Sequence, residues 1–511
     1  GQSWASISPD LTTNDKSKQG PSGGPITKDN TSVEYYCTIF TAAESVLEEN
    51  VLWTGSDDGL INVSRDAGKT WTNVTPAAAG KWMMWNCVET DPFKKGTAYF
   101  VGTKYKIDDF KPYIFKTEDY GKSWKMITNG IAPMHFARAL RADKKVPGLL
   151  YCGTEYGMYI SYDDGANWKN FQLNLPIVSI TDLTIKENDL VVGTQGRAIW
   201  ILDDLSLIQQ KNLFASSKTL QVFNVSDAYK TEGFQNQNVR NAGINPLNGV
   251  VFNYWLKTTN DSPKVSITVM DYKKEPIQTF STTSKDSTNK FEVNKGMNQF
   301  VWNMKYPAAE KVEGLILWNG NIDAPKAAPG KYTARFKYEK DSVDVAFTIK
   351  PDPNYKMTET EYQQQTAFLL QVQNKFNEVQ KAIRDIRTIR TQLNDFTSRI
   401  DTAQTKDVKS LADTINKKVT AVEDALYQTK SKSGQDVLNY PIRLNDKISG
   451  LFDVANSGNN PPSSQVQEAF KELSAEADKY LNELKQVMNN EVRQFNKLIY
   501  QKQLPVIGIK R

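Results

Sequence analysis

The sequence predicts a multidomain, mainly β protein: β-propeller blades over residues 1–205, a β-sandwich over 218–350, and an α-helical bundle or antiparallel coiled coil over 356–505. Three observations predict this order. A motif of the form S/T-x-D-x-G-x-x-W recurs three times in the first 170 residues. Short alternating β runs separated by turn residues fill the middle. Apolar residues in a 3–4 rhythm follow Pro351-Asp352-Pro353. At 511 residues the chain is also too long for a single hydrophobic core.

Composition narrows the function. Lys and Arg (63) are interspersed with Asp and Glu (58), and no basic block points to nucleic acid. No run of 18 apolar residues exists, so no transmembrane segment is expected. The three cysteines, Cys37, Cys87 and Cys152, lack CxxC spacing and lie in strand-like runs, so they read as buried free thiols. The single histidine, His135, removes multi-histidine metal sites. No metal and no cofactor is expected.

The three motifs are Ser64-x-Asp66-x-Gly68-x-x-Trp71, Thr117-x-Asp119-x-Gly121-x-x-Trp124 and Ser161-x-Asp163-x-Gly165-x-x-Trp168. The Asp can accept backbone N–H bonds across a tight turn, the Gly permits positive φ, and the Trp packs a large face between strands. These twelve residues read as structural. Upstream of each box an apolar run ends in Gly-Ser/Thr, at Gly55, Gly102 and Gly153, and again at Gly193 without a box; the spacings are 47, 51 and 40 residues. That period suits four-stranded blades, about four of them. Gly1-Gln2-Ser3-Trp4 matches the second half of a further box. Four blades in an open stack would leave apolar faces uncovered, so the expected partner is a set of N-terminal blades of the same protein.

This pattern resembles the Asp-box (BNR) repeat proteins, a group spanning sialidases, xyloglucanase-type glycosidases and sortilin-type propeller receptors. Ile7-Ser8-Pro9-Asp10-Leu11-Thr12, Gly55-Ser56-Asp57-Asp58-Gly59-Leu60 and Gly193-Thr194-Gln195-Gly196-Arg197 are similar to segments of large bacterial secreted proteins that are glycosyl hydrolase-like or like the sortilin N-terminal (VPS10) domain. The resemblance implies a bacterial protein, secreted or in the cell envelope, at the periplasm or the outer-membrane surface. Gly296-x-Asn298-x-Phe300-x-Trp302 with Pro329-Gly330-x-Tyr332 resembles the Ig-like modules behind bacterial secreted repeats. The stripe Leu369, Val372, Phe376, Val379, Ile383, Ile386 reads as helical core.

Chemistry is expected on the blade face opposite the boxes, where the loops between strands 2 and 3 and between blades converge. Trp82, Trp85, Lys104, Tyr105, His135, Tyr156 and Arg197 are the candidate ligand-binding residues. Asp57, Asp58 and Glu155 are the candidate catalytic carboxylates, because glycoside hydrolysis uses two carboxyl groups flanking the bond. The competing reading of these acids is turn capping. Arg138, Arg141 and Arg197 could supply a sialidase-type triad, but the F/Y-R-I-P context is missing. The leading expectation is a protein that binds a peptide, protein or glycan through the propeller cleft within an envelope or secreted assembly; the alternative is a glycoside hydrolase.

Overall fold

The protein is described by a computed structural model covering residues 3–25, 28–29, 35–215, 218–231, 243–258, 263–318, 320, 323–401 and 405–507. It divides into two compact units, Gly1–Lys211 and Asn212–Arg511.

The first unit holds four antiparallel sheets in chain order. Ile39–Glu44, Leu52–Ser56, Ile61–Ser64 and Thr72–Asn73 form the first. Met84–Thr90, Ala98–Lys104, Asp109–Thr117 and Lys125–Met126 form the second, and Ala137–Ala142, Leu150–Thr154, Gly157–Ser161 and Lys169–Asn170 the third. The fourth has three strands, Ile180–Lys186, Asp189–Thr194 and Ile199–Leu202. The first strand of each sheet packs on the first strand of the next, and among the described residues no comparable packing joins the first sheet to the fourth. The sheets are therefore successive blades of an open β-propeller arc.

Two of the recurring glycines, Gly55 and Gly153, are explained by contact between blades, while Gly102 is crowded by Met83 and Trp85 of its own blade. A Cβ on Gly55 would lie 2.7 Å from Cβ of Trp85 in the next blade, and one on Gly153 would lie 2.5 Å from Cγ2 of Ile180. Gly193, in the last blade, meets only the adjacent strand of its own sheet, with Thr181 Oγ1 at 3.3 Å. Facing these glycines, every first strand carries a register shift that leaves one residue out of the ladder: Phe40, Asn86, Arg138 and Thr181. Such bulges re-aim a side chain and sharpen the local twist.

The boxes close the turn between strands 3 and 4 in the same way three times. Asp66 Oδ1 accepts from Thr70 N at 2.8 Å, Asp119 Oδ1 from Ser123 N at 2.9 Å, and Asp163 Oδ1 from Asn167 N at 2.8 Å. Ser64, Thr117 and Ser161 accept from the N–H of Gly68, Gly121 and Gly165 at 2.8–2.9 Å. Hydrogen bonds from the side chains of Thr70 and Ser123 are the first cause holding the Asp66 and Asp119 carboxyls below their ordinary range, and that of Asn167 does so for Asp163. The box tryptophans tie blades together. Trp124 Nε1 donates to Val74 O (2.7 Å) and Trp168 Nε1 to Ile127 O (2.8 Å), each a residue just past the last strand of the preceding blade. Trp71 Nε1 donates to Ile7 O at 3.1 Å, so Ile7 takes the place that Val74 and Ile127 take in the other blades. Trp4 stands three residues before Ile7, as Trp71 stands before Val74, and its ring is fully exposed. Gly1 and Gln2, the rest of that half-box, lie outside the described residues.

In the second unit two sheets share one apolar core. Leu220–Val222, Val250–Leu256 and Gly296–Trp302 make one sheet; Ala228–Lys230, Asp341–Pro351, Gly330–Tyr338, Val265–Met270 and Pro276–Ser281 make the other. Phe252, Tyr254 and Trp302 from the first meet Phe336 and Phe347 from the second. Helices α1 (Glu359–Thr397), α2 (Lys406–Leu426), α3 (Leu444–Asn456), α4 (Ser464–Val487) and α5 (Arg493–Gln501) follow. Helix α1 starts at a capping box between Thr358 and Glu361. Val372, Phe376 and Ile383 of α1 pack with Ile415 and Val419 of α2 and Phe452 of α3. Glu423 is buried at 2% exposure and paired with Arg387 (2.9 Å) and Arg390 (2.7 Å). No described helix is long and apolar enough to cross a membrane.

One cysteine departs from the sequence reading. Cys87 and Cys152 are buried in strands, but Cys37 is only half-buried, precedes its strand, and has φ +69°.

Candidate functional site

In the first and third blades the loop between strands 2 and 3 is closed by the residue after the glycine. Ser56 Oγ accepts from Leu60 N at 2.8 Å, and Thr154 Oγ1 donates to Gly157 O at 2.9 Å. The acids beside these turns are engaged. Asp58, 9% exposed, accepts from Thr13 N (2.7 Å), Thr13 Oγ1 (2.6 Å) and Ser56 Oγ (2.5 Å). Asp57 accepts from Thr38 N (2.8 Å) and Thr38 Oγ1 (3.1 Å). Glu155 accepts from Arg138 Nε at 2.7 Å and from Ser179 Oγ at 2.9 Å. These are the contacts of turn-capping and strand-tying groups. Of the three candidate carboxylates only Asp57 lines the cavity described next.

That cavity, about 300 Å³, lies between the loops of the first two blades. Its walls are Lys18, Tyr36, Asp57, Trp82, Met84, Thr103, Lys104, Tyr105, Lys106 and Ile107. Trp82 and Tyr36 stack, with centroids 6.3 Å apart and planes 23° apart, and Lys18 Nζ stands 5.2 Å from the Trp82 ring. Trp82 keeps 45% of its surface exposed and has φ +69°, a left-handed conformation costly for a bulky residue. Burial is the first cause pushing the Tyr36 hydroxyl up to about 12, with the Asp58 and Asp57 carboxylates adding to it. Tyr36 is therefore a neutral hydrogen-bonding group near neutral pH.

A second aromatic cluster continues from Tyr105. Its ring stacks on Phe136 at 5.2 Å and 14°, and the Arg138 guanidinium lies over both rings, at 5.3 and 5.0 Å. Arg138 is the residue its bulge leaves out of the ladder. His135 packs against Tyr156 at 5.0 Å, and its Nδ1 is 2.9 Å from Tyr159 Oη. Tyr156 is 47% exposed.

Of the seven candidate ligand residues, Trp82, Lys104 and Tyr105 share the cavity, and His135 and Tyr156 pair beyond it. Trp85 is corrected: it is wholly buried, donates from Nε1 to Gly59 O at 3.0 Å, and packs edge-on against Phe100 and Phe115, so no ligand can reach it. Arg197 is exposed, its side chain donates to Gly196 O and its N–H to Thr194 Oγ1, and it does not line the cavity. Arg141 is engaged elsewhere, with Asp182 at 2.8 Å, so the three arginines do not converge. Lys18 and Tyr36 were missed; the Tyr35-Tyr36 pair just before a strand was the available signal. Among the described residues no group of three or more His, Cys, Asp or Glu could hold a metal ion.

Residues 59–308 match the model of the Sortilin-Vps10 family (Sortilin, neurotensin receptor 3), a stretch just short of half the chain. No curated protein matches the chain. Similar solved structures include YCF48 from Cyanidioschyzon merolae, at 18% identity over 43% of this chain and 68% of that chain, TM-score 0.26. YCF48 bound to D1 peptide is similar at 13% identity over 60% and 82%, TM-score 0.27. The GH74 xyloglucanase from Xanthomonas campestris is similar at 12% identity over 61% and 54%, TM-score 0.27. Likeness at this level carries no argument about activity. The family match and the four repeated sheets together make the first unit a sortilin-like β-propeller segment.

Proposed function

We propose that this protein is a non-catalytic binding protein that holds a peptide, protein or glycan in the cleft running from Trp82 through Tyr105 to Tyr156. It works outside the cytoplasm, in a bacterial envelope or secreted assembly. The two-sheet module, of Ig-like type, and the helices serve as its support. Further blades of the same protein extend the arc. One observation carries the reading: a cavity of about 300 Å³ walled by a half-exposed Trp82, its stacking partner Tyr36, Tyr105 and lysines, with a single carboxylate. Open aromatic faces beside mobile cations suit binding. Candidate acids spent on turn hydrogen bonds do not suit acid–base chemistry.

The test is a glycan and peptide array probed with the intact chain, followed by titration of the hits. Trp82→Ala and Tyr105→Ala should each weaken binding by about tenfold, an aromatic contact being worth roughly 1–1.5 kcal/mol, with an unchanged circular dichroism spectrum. Turnover of a bound glycan, lost in Asp57→Asn, would overturn the non-catalytic reading. Binding indifferent to both aromatic substitutions would move the site elsewhere.

A further inference from the structure

Resting on that reading, we infer that the cavity is specific for a carboxylate-bearing sugar of an acidic polysaccharide. Three ammonium groups, Lys18, Lys104 and Lys106, line one cavity of about 300 Å³. None of the three is in a salt bridge among the described residues, whereas Lys94, Lys116, Arg138 and Arg141 have carboxylate partners. Asp57, the one carboxylate lining the cavity among the described residues, already takes the N–H and hydroxyl of Thr38. Two of the ammonium groups rest instead against aromatic rings: Lys18 Nζ is 5.2 Å from Trp82, and Lys104 Nζ is 5.4 Å from Tyr113. These ammonium groups can accept the negative charge of a ligand.

A ligand with a flat apolar face also fits. Trp82 and Tyr36 lie within 23° of parallel and 45% of Trp82 stays open, so the cavity presents a platform and not a slot. The C–H face of a pyranose ring covers such a platform while its carboxylate projects from the edge toward the ammonium groups. Lysine suits this role as a mobile point charge that follows the carboxylate without demanding bidentate geometry. An acidic peptide supplies the charge, but its Asp and Glu side chains carry no ring face. Tyr105 also lines the cavity and Tyr156 is exposed, so neighbouring sugars of a polymer have further rings to meet.

The experiment titrates the intact chain, following tryptophan fluorescence and heat, with three probes: a short oligogalacturonate, its methyl ester, and poly-L-glutamate. The oligogalacturonate should bind at least about tenfold more tightly than its ester, and tightness should fall with added salt, because the pairs are solvent-facing and screened. Lys18→Gln combined with Lys104→Gln should abolish the preference for the acid over the ester and flatten the salt dependence, leaving the ester's weak binding in place. Equal binding of acid and ester, or a preference untouched by the lysine substitutions, overturns the inference. So does poly-L-glutamate binding more tightly than the oligogalacturonate. If neutral glycans or peptides from the array bind through Trp82 while oligogalacturonate does not, the inference fails and the binding function stands. If no probe or array ligand binds, both fail.

Discussion

At the scale of single residues, the same amino acid does different work a few positions apart. Trp82 and Trp85 are three positions apart. Trp85 enters its strand facing the neighbouring blade, where Gly55 makes room for its Cβ, and it is wholly buried. Trp82 stops short of the strand in a left-handed conformation and stays open. Glu89 is a second case. Burial is the first cause raising its carboxyl to about 7, against the Arg141 guanidinium 3.8 Å away and the Ala142 N–H that donates to it at 3.1 Å. A carboxyl raised on folding binds a proton more tightly in the folded state than in the unfolded chain. Its contribution to stability is thus largest below the unfolded value of about 4.3, declines as pH rises toward about 7, and is flat above. The urea midpoint of the first unit should fall over that window, and Glu89→Gln should flatten the fall. A midpoint with the same pH profile in both proteins would count against it.

Among elements, the three boxes share their hydrogen bonds but not their burial. Trp168 is 3% exposed in the third blade, while Trp71 and Trp124 are half-buried. Trp168 sits between Ile127 and its own sheet, with a blade on either side; the Trp71 indole bonds Ile7 O and Gly68 O. Trp168→Ala should therefore cost about 3–5 kcal/mol, and Trp71→Ala distinctly less, because the cost scales with the contacts and cavity lost. Chemical denaturation of the two variants measures the difference. Equal losses would mean that the indole of Trp71 is covered as fully as that of Trp168.

For the whole molecule, two compact units with separate apolar cores predict two unfolding events. Calorimetry of the intact chain should resolve two transitions, with Trp168→Ala shifting only one of them and Phe376→Ala only the other. A single transition moved by both substitutions would show one cooperative body. The blade arc also leaves Phe40 of its first strand and Ile199 and Ile201 of its last strand exposed. These side chains lie on the two end blades, which have a neighbouring blade on one side only among the described residues.

The sequence by itself determined what is local. A box needs only a carboxylate, a hydroxyl, a glycine and the next few N–H groups, all within eight residues, so its motif and its turn are one fact. The 40–51 residue spacing set the blades, and the 3–4 rhythm after Pro353 set the helices, because a buried stripe must repeat with the period of its element. The recurring Gly-Ser/Thr was visible too, but its cause was not: the clash that excludes a side chain at Gly153 comes from Ile180, in another blade. The cleft was half legible. Trp82, Lys104 and Tyr105 stood out as aromatic and cationic loop residues, yet Lys18 and Tyr36, from upstream of the first blade, join them only when the blades stack. Tertiary structure alone decided that Trp85 is core, that Arg197 does not line the cavity, and that Asp58 and Glu155 are held by Thr13 and Arg138. A side chain's exposure and its partners depend on which distant segment lies against it, and spacing along the chain carries no record of that.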